Sequence, residues 1–282
     1  MPNYFRKALE CFQHPMLPYP HHSPHKWLAS TYGAKVQYPP NTTTAPKYDK
    51  RDITRVQSIA VTFLYIVRAV DPTMIIALNK MGAEQASTTT DTVHKTKMLM
   101  EYAATQPDAV IWFEARDMCL HINSDATYLP QPKARSRAAG HYYLSDNPPS
   151  PHIRTTPTPN GPILTKYQTI RTVMASAAEA KAGTILLNGQ QAVPIRTSLI
   201  ERDHPQPPTQ IKTDSATSYG IITGNMRRKR SKAFDMLLYW MRCHIKHNQF
   251  RLYWQKGTEN LADYFTKHFP LKHHRRVRYV YL

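Results

Sequence analysis

The hydrophobic pattern changes its period once along the chain, and this change limits the possible folds more than any other feature. Between residues 52 and 104, apolar residues such as Ile53, Val56 and Ile59 recur every three or four positions, which predicts helices with one buried face. Asp71-Pro72 predicts the end of one helix and the start of another, because Asp caps helices and Pro suits a first turn. A third helix is expected from about residue 91 to 103. From residue 109 the period becomes two, which predicts strands.

The second half of the chain alternates between predicted strands and predicted helices. The predicted strands are 110–113, 118–123, 138–144, 162–167, 210–213 and 250–254. The predicted helices are 174–188 with a further helical stretch after it, a long basic helix over about 225–247, and a last helix from near Glu259. This order indicates an α/β fold whose sheet begins antiparallel and continues with parallel strands. Residues 1–50 are rich in Pro and His and show no sustained period, so we expect an extended or loop-rich arm.

Charge and cysteine content narrow the function classes. The 282 residues carry 37 Lys and Arg against 19 Asp and Glu, a formal charge of +18 that favours a polyanionic partner. Three widely spaced cysteines form neither a disulfide framework nor a paired metal motif. The longest apolar stretch, 59–70, is too short for a membrane span, and the first residues lack the apolar core of a secretory signal. We therefore expect an intracellular protein, cytoplasmic or nuclear, rather than a secreted or membrane protein.

Four carboxylates occupy special positions in this predicted layout. Asp125 and Asp214 are expected at strand ends, Glu179 in the first turns of the Ala-rich helix, and Asp263 in the helix after the last strand. In open α/β sheets, sites gather where strand ends and helix starts meet, so these four are expected to converge. Carboxylates brought together repel one another unless a cation neutralises them, and Mg²⁺ prefers oxygen ligands. The sequence therefore predicts a metal site formed by Asp125, Glu179, Asp214 and Asp263.

Each of these carboxylates lies in a short motif. The motifs are Ser124-Asp125-Ala126, Ala177-Ala178-Glu179-Ala180, Thr213-Asp214 and the run from Asn260 to Lys267, Asn-Leu-Ala-Asp-Tyr-Phe-Thr-Lys. In order and approximate spacing they resemble the ribonuclease H domain of Ty1/copia-type retrotransposon polyproteins. Residues 230–235 and the Tyr/Trp helix after them resemble the segment between the third and fourth carboxylates of that family. The helices around residues 63–73 resemble the piece that joins reverse transcriptase to ribonuclease H. No Tyr-x-Asp-Asp polymerase motif occurs, so the chain resembles a C-terminal fragment of such a polyprotein.

The resemblance implies a ribonuclease H-like mixed sheet, with three antiparallel strands continuing into parallel ones, flanked by helices and preceded by a small helical segment. The implied domains are an arm over 1–50, a connection segment over 51–108, a ribonuclease H-like domain over 109–270 and a basic tail over 271–282. The implied activity is hydrolysis of the RNA strand of RNA–DNA hybrids. The four carboxylates would hold two Mg²⁺ or Mn²⁺ ions, which activate water and stabilise the leaving oxygen. The implied partners are an RNA–DNA hybrid or another nucleic acid, and the upstream reverse transcriptase portion.

Several residues leave an alternative open, namely a degenerate or domesticated fragment that binds nucleic acid without catalysis. Ser215 stands where the family usually has Asn, and Lys181 where it often has an acid. Because two helix positions differ by about 200° in direction, Lys181 is expected to point away from a metal at Glu179.

The basic residues after the third carboxylate are the predicted contacts to nucleic acid. These are Arg227, Arg228, Lys229, Arg230, Lys232 and, further along, Lys256. A nuclear-targeting segment and a solvated charged surface are the alternatives for the run from 227 to 232. Tyr239, Trp240, Tyr253 and Trp254 are expected to pack in the core rather than to stack on bases.

Overall fold

The computed structural model describes residues 3–15, 18–27, 48–147, 157–226 and 235–282. It divides into two compact units. Unit 1 contains the described residues up to Trp112 together with His268–Leu282, and unit 2 contains the described residues of Phe113–Lys267. Within the described residues, no helix combines the length and the apolar character needed to cross a membrane.

Unit 1 is helical. Its helices are α1 (Tyr4–Cys11), α2 (Lys50–Ala69), α3 (Ile75–Glu84), α4 (Thr90–Thr105) and, from the end of the chain, α8 (Leu271–Val277). The three helices predicted between residues 52 and 104 are confirmed as α2, α3 and α4. The Asp71 side chain accepts a hydrogen bond from the Thr73 amide at 3.1 Å, with Pro72 in the first turn, as the predicted stop-and-start signal requires.

Helix α1 differs from the extended arm expected over residues 1–50. Phe5, Ala8 and Leu9 are buried in unit 1, and the ring of Phe5 lies 5.8 Å from that of Phe63 in α2. Ala8 and Leu9 follow Phe5 by three and four positions, which is helical spacing. This pattern is short and is surrounded by Pro- and His-rich residues, so the sequence did not indicate the helix. Residues 28–47 of the predicted arm lie outside the described residues.

The C-terminal residues of unit 1 complete a buried polar network. The Arg278 guanidinium donates to Asp71 Oδ2 at 2.7 Å, to Thr73 Oγ1 at 2.9 Å and to the Tyr102 hydroxyl at 2.6 Å. The Asp71 side chain is fully buried. Residues 271–282, predicted as a basic tail, thus include a helix and an arginine that neutralises a buried carboxylate.

Three histidines of unit 1, His25, His268 and His274, lie together and form what we call the histidine cluster. The ring of His25 is 4.4 Å from that of His268 and 5.1 Å from that of His274. Burial, reinforced by neighbouring positive groups, lowers the pKa of His25 to about 3, and the same causes lower the pKa of His268 and of His274 to about 4. All three rings are therefore neutral at physiological pH.

Unit 2 is built on a mixed five-stranded sheet in the order β3-β2-β1-β4-β5. The strands are β1 (Cys119–Gln131), β2 (Arg135–Ser145), β3 (Pro162–Thr169), β4 (Thr209–Thr213) and β5 (Phe250–Trp254). The pairs β1–β2 and β2–β3 are antiparallel, and β1–β4 and β4–β5 are parallel. The predicted α/β class, with three antiparallel strands continuing into parallel ones, is confirmed.

Helices α5 (Ala177–Ile200), α6 (Ala216–Thr223) and α7 (Asp235–Lys246) accompany this sheet. Leu120, Ile122 and Ala126 of β1 share one core with Ile185 and Leu186 of α5. The predicted helix 174–188 and the helical stretch after it are one continuous helix, α5. Of the predicted basic helix over 225–247, Asp235–Lys246 is helical as α7, Asn225 and Met226 are not helical, and residues 227–234 lie outside the described residues.

Three local predictions in this half of the chain are wrong. Residues 110–113 form no strand, and Trp112 and Phe113 are 74% and 59% exposed. Strand β1 does not end at Asp125 but runs on to Gln131 through its antiparallel pairing with β2. Asp263 lies in a 3-10 segment, Leu261–Phe265, rather than in an α-helix.

Candidate metal centre

Strand register brings Asp125 and Asp214 to the same level of the sheet. In the parallel pair β1–β4, the last matched residues are Asn123 and Lys212. Asp125 and Asp214 each follow two residues later, where β4 ends and β1 continues only with β2. Side chains two positions beyond a matched pair share one face of the sheet, so the two carboxylates are neighbours.

The third carboxylate comes from the 3-10 segment Leu261–Phe265. Asn260 fixes this segment, because its side chain accepts from the Ala262 amide at 3.2 Å and donates to the Ser124 carbonyl at 3.1 Å. Carboxylate oxygens of Asp125, Asp214 and Asp263 consequently lie within 4.8 Å of one another. We call these three residues the carboxylate cluster. The structure therefore brings together three of the four predicted ligands.

Glu179, the fourth predicted ligand, lies outside the carboxylate cluster. Its backbone amide donates to the Ser176 side chain at 3.1 Å, and its carboxylate accepts from the Ala175 amide at 3.0 Å. Ser176 is thus the N-cap of α5, and the Glu179 carboxylate binds the amide of the residue just before that cap. In the structure, Glu179 stabilises the helix terminus.

Lys181 enters the carboxylate cluster instead. Its ammonium lies 3.0 Å from Asp125 Oδ1 and donates a very short hydrogen bond to Asp214 Oδ1. Lys181 was expected to point away from a metal at Glu179, but the carboxylate cluster forms without Glu179 and Lys181 points into it. Lys181 and Glu179 do take opposite directions, as 200° of helical rotation requires, but the side of α5 that faces the cluster carries the lysine.

A second ammonium, that of Lys267, pairs at 2.5 Å with Oδ2 of Asp263, which lies four residues before it. Thr266 donates a short hydrogen bond to Asp125 Oδ2, and its carbonyl accepts from Thr127 of β1 at 2.7 Å. The three acids are thus matched by two ammoniums and one hydroxyl from this chain.

These neighbours set the ionisation of the carboxylate cluster. Burial opposes ionisation of Asp125, but the ammoniums of Lys181 and Lys267 and the Thr266 hydroxyl outweigh it and lower the pKa of this carboxyl. Burial, reinforced by the charge of Asp125, raises the pKa of Asp263 to about 7 in spite of Lys267. Burial disfavours a charged Lys181, yet Asp125 and Asp214 raise its pKa above the ordinary value. Lys181 therefore enters the cluster as an ammonium.

The donor chemistry of the cluster fits a divalent ion of the Mg²⁺ type, which prefers carboxylate oxygens. Asp263 Oδ1 is buried and has no hydrogen-bond partner among the described residues, so one ligand atom is available. Gly257 lies directly against the cluster, since a Cβ on this residue would be 3.2 Å from Asp214 Oδ2 and 3.7 Å from Asp263 Oδ2. The ammonium of Lys181 nevertheless bridges two of the three ligands. A metal ion fits the donors only after this ammonium has moved.

The remaining predicted residues are only partly visible. Arg227, Arg228, Lys229, Arg230 and Lys232 lie outside the described residues. Lys256 is exposed directly before Gly257 and so lies beside the carboxylate cluster. Ser215 caps α6 by accepting from the Ser218 amide at 3.1 Å, so the serine fills a helix-capping role.

Of the four aromatic residues expected in the core, Trp240 and Tyr253 are partly buried, whereas Tyr239 and Trp254 are exposed. Trp240 packs on His244 and Phe250, with ring centres 3.9 and 6.1 Å apart. Tyr253 is half-buried, whereas Tyr239 is 75% exposed and Trp254 is 40% exposed. The Trp254 indole donates to the Asp214 carbonyl at 2.9 Å, which places an exposed aromatic ring next to the carboxylate cluster.

Sequence reasoning did not identify Lys267, Thr266 or Gly257 as parts of this site. Lys267 and Thr266 belong to the specific run Ala-Asp-Tyr-Phe-Thr-Lys, so their spacing of four and three from Asp263 was the available signal. Gly257 was visible only as part of a turn. For Lys181 the sequence indicated only that its side chain points in the opposite direction from that of Glu179.

Comparisons with known proteins give similarity at the level of solved structures. No family model matches the chain, and no curated protein matches it. The N-terminal RNase H domain of a Mycobacterium tuberculosis protein, solved as a fusion with maltose-binding protein, is 15% identical; the match has a TM-score of 0.36 and covers 53% of this chain and 91% of that one. An RNase H1 isolated from compost by a metagenomic approach is 9% identical, with a TM-score of 0.39 and coverage of 52% and 92%.

A foamy viral protease-reverse transcriptase, solved in complex with dsDNA, is 14% identical with a TM-score of 0.42. That match covers 77% of this chain and 40% of the viral chain. At such identities and TM-scores, the function of this chain has to be inferred from its own side chains.

Proposed function

We propose that this chain is a metal-dependent nuclease of the ribonuclease H type, which hydrolyses the RNA strand of RNA–DNA hybrids. The observation that carries this proposal is that carboxylate oxygens of Asp125, Asp214 and Asp263 converge within 4.8 Å beside the neighbouring strands β1 and β4, with Asp263 supplied by the 3-10 segment. The reaction class is inferred from the sequence motifs, and the Ty1/copia origin is inferred from those motifs alone. The net charge of +18 supports a polyanionic partner.

The roles of the residues follow from their contacts. Asp125, Asp214 and Asp263 would hold Mg²⁺ or Mn²⁺, which when bound activates water and stabilises the leaving oxygen of a phosphodiester. Thr266 holds the Asp125 carboxylate in place through its hydroxyl. Exposed Lys256, next to the cluster, is suited to contact phosphates of the hybrid. A second ion would need Glu179, which must first release the Ala175 amide.

The proposal is tested with a labelled RNA–DNA hybrid and purified protein in Mg²⁺ or Mn²⁺. The cleavage rate should fall at least about 100-fold in each of Asp125→Asn, Asp214→Asn and Asp263→Asn. Loss of a group that only orients a metal ligand already lowers activity by up to about 100-fold, and these changes remove a ligand itself. Exposed Asp203→Asn, a change of the same kind outside the cluster, should cleave like wild type. Glu179→Gln decides whether the fourth carboxylate takes part.

A second candidate function is binding of nucleic acid without catalysis. The Lys181 ammonium within the carboxylate cluster favours it, since a fixed cation there competes with a metal ion. Hybrid binding by wild type and Asp125→Asn, with no cleavage by either at any Mn²⁺ concentration, would select this candidate and eliminate the nuclease.

A further inference from the structure

The position of Lys181 is built into unit 2 rather than adopted by a free surface chain. Lys181 lies in the second turn of α5, and its side chain is only 19% exposed. Its two partners are the fully buried Asp125 side chain and the Asp214 side chain, which is 11% exposed. The ammonium therefore joins a central strand to the end of its parallel neighbour. The ammonium of Lys181 in α5 thus contacts carboxylates in β1 and at the end of β4.

Lys267 is placed differently. It contacts one carboxylate, that of Asp263 four residues before it, and its side chain is 35% exposed. Lys267 helps to neutralise Asp125 only through space, because its single carboxylate contact is with Asp263. Of the two ammoniums, Lys181 is the one that occupies the space between ligands.

We propose that Lys181 is the resident cation of the carboxylate cluster, so that a divalent ion binds Asp125 and Asp214 only when Lys181 leaves them. This inference rests on the proposed function, because it concerns the metal that function requires. Two ligands that share an ammonium cannot offer the same oxygens to a metal, and a nearby positive charge repels a dication. Lys181 thus sets the metal affinity of the site and allows the cluster to fold without metal.

Direct Mn²⁺ binding tests this, measured from the loss of the free-ion electron paramagnetic resonance signal. Lys181→Gln, which keeps length and polarity but removes charge, should bind Mn²⁺ at least about tenfold more tightly than wild type. Lys181→Arg is the charge-conserving control and should remain as weak as wild type. Lys267→Gln should tighten Mn²⁺ binding by less than Lys181→Gln does, because Lys267 contacts one ligand and Lys181 contacts two.

Thermal melting of the same proteins shows whether the variants fold and gives a second readout. Without metal, Lys181→Gln should melt below wild type, because Asp125 loses its buried partner. Saturating Mn²⁺ should raise its melting temperature by more than it raises that of wild type. Adding Asp125→Asn to Lys181→Gln should abolish the gain in Mn²⁺ affinity.

The outcomes separate this inference from the proposed function. If wild type binds Mn²⁺ as tightly as Lys181→Gln, Lys181 is not the resident cation and the inference is overturned, while the metal-dependent nuclease stands. If Lys181→Gln melts cooperatively but binds no Mn²⁺, the cluster is not a metal site, and the proposed function is overturned with the inference.

Discussion

Arg278 should contribute more to the stability of unit 1 than any exposed arginine of the same segment. Its guanidinium contacts the Asp71 carboxylate, the Thr73 hydroxyl and the Tyr102 hydroxyl, and the Asp71 side chain is fully buried. Arg278→Met keeps the aliphatic stem but leaves a buried carboxylate without its cation. Breaking one side of a buried pair in this way costs about 3–5 kcal/mol. That is a large part of the stability of a typical domain, which is about 5–15 kcal/mol.

Urea denaturation followed by circular dichroism measures this loss, with Arg275→Met as the matched control. Arg275 is exposed in the same helix, α8, and its replacement should change the free energy of unfolding by less than about 0.5 kcal/mol. In the double variant Asp71→Asn with Arg278→Met, the buried charge is gone, so the loss should be smaller than the sum of the two single losses. Additive single losses, or an Arg278→Met loss below about 1 kcal/mol, would show that the pair does not stabilise the fold.

Three further changes test other parts of the structure. Gly140→Ala would place a Cβ 2.5 Å from Asn188 Oδ1, so thermal melting should show a loss of about 1–3 kcal/mol, whereas Gly82→Ala, with nothing within 4 Å of the new Cβ, should be neutral or stabilising. Thr266→Val removes the hydroxyl that donates to buried Asp125 and should cost about 1–3 kcal/mol by chemical denaturation; an unchanged midpoint would contradict this role. Acidification should destabilise unit 1 through the histidine cluster, because the unfolded rings bind protons below their ordinary pKa of 6.5 while the folded rings stay neutral down to about 4. The contribution of the histidine cluster to the free energy of unfolding is therefore complete above about pH 7. It falls toward pH 4, by about 2 kcal/mol for each ring at pH 5, and a free energy of unfolding that stays constant over this range would refute the prediction.

Much of the sheet was predictable from local pattern. The strand predicted at 250–254 has those bounds in the structure, and the strand predicted at 210–213 gains one residue. Residues 110–113 have the same apolar signature but form no strand, because a strand also needs a hydrogen-bonded neighbour, and sequence alternation does not report one. The extension of β1 past Asp125 has the same origin, since it depends on pairing with β2.

The candidate site was predictable only as far as strand register determines it. Asp125 and Asp214 meet because parallel strands place equivalent positions side by side, and that follows from the predicted order of elements. The spacing of Glu179 and Lys181 fixes their opposite directions but not which of them faces the sheet. That choice depends on how α5 packs through Ile185 and Leu186, which is a tertiary property.

The pairing of Asp71 with Arg278 also constrains how this chain is made. The two residues are 207 positions apart, so at about 5–20 residues per second a ribosome adds Arg278 about 10–40 seconds after Asp71. Throughout that interval the helices on either side of Asp71 can form, but the carboxylate between them has no arginine to neutralise it. The sheet of unit 2, which ends by residue 254, is synthesised in full before then. During translation the buried carboxylate of Asp71 is therefore paired with its arginine only at the very end of synthesis.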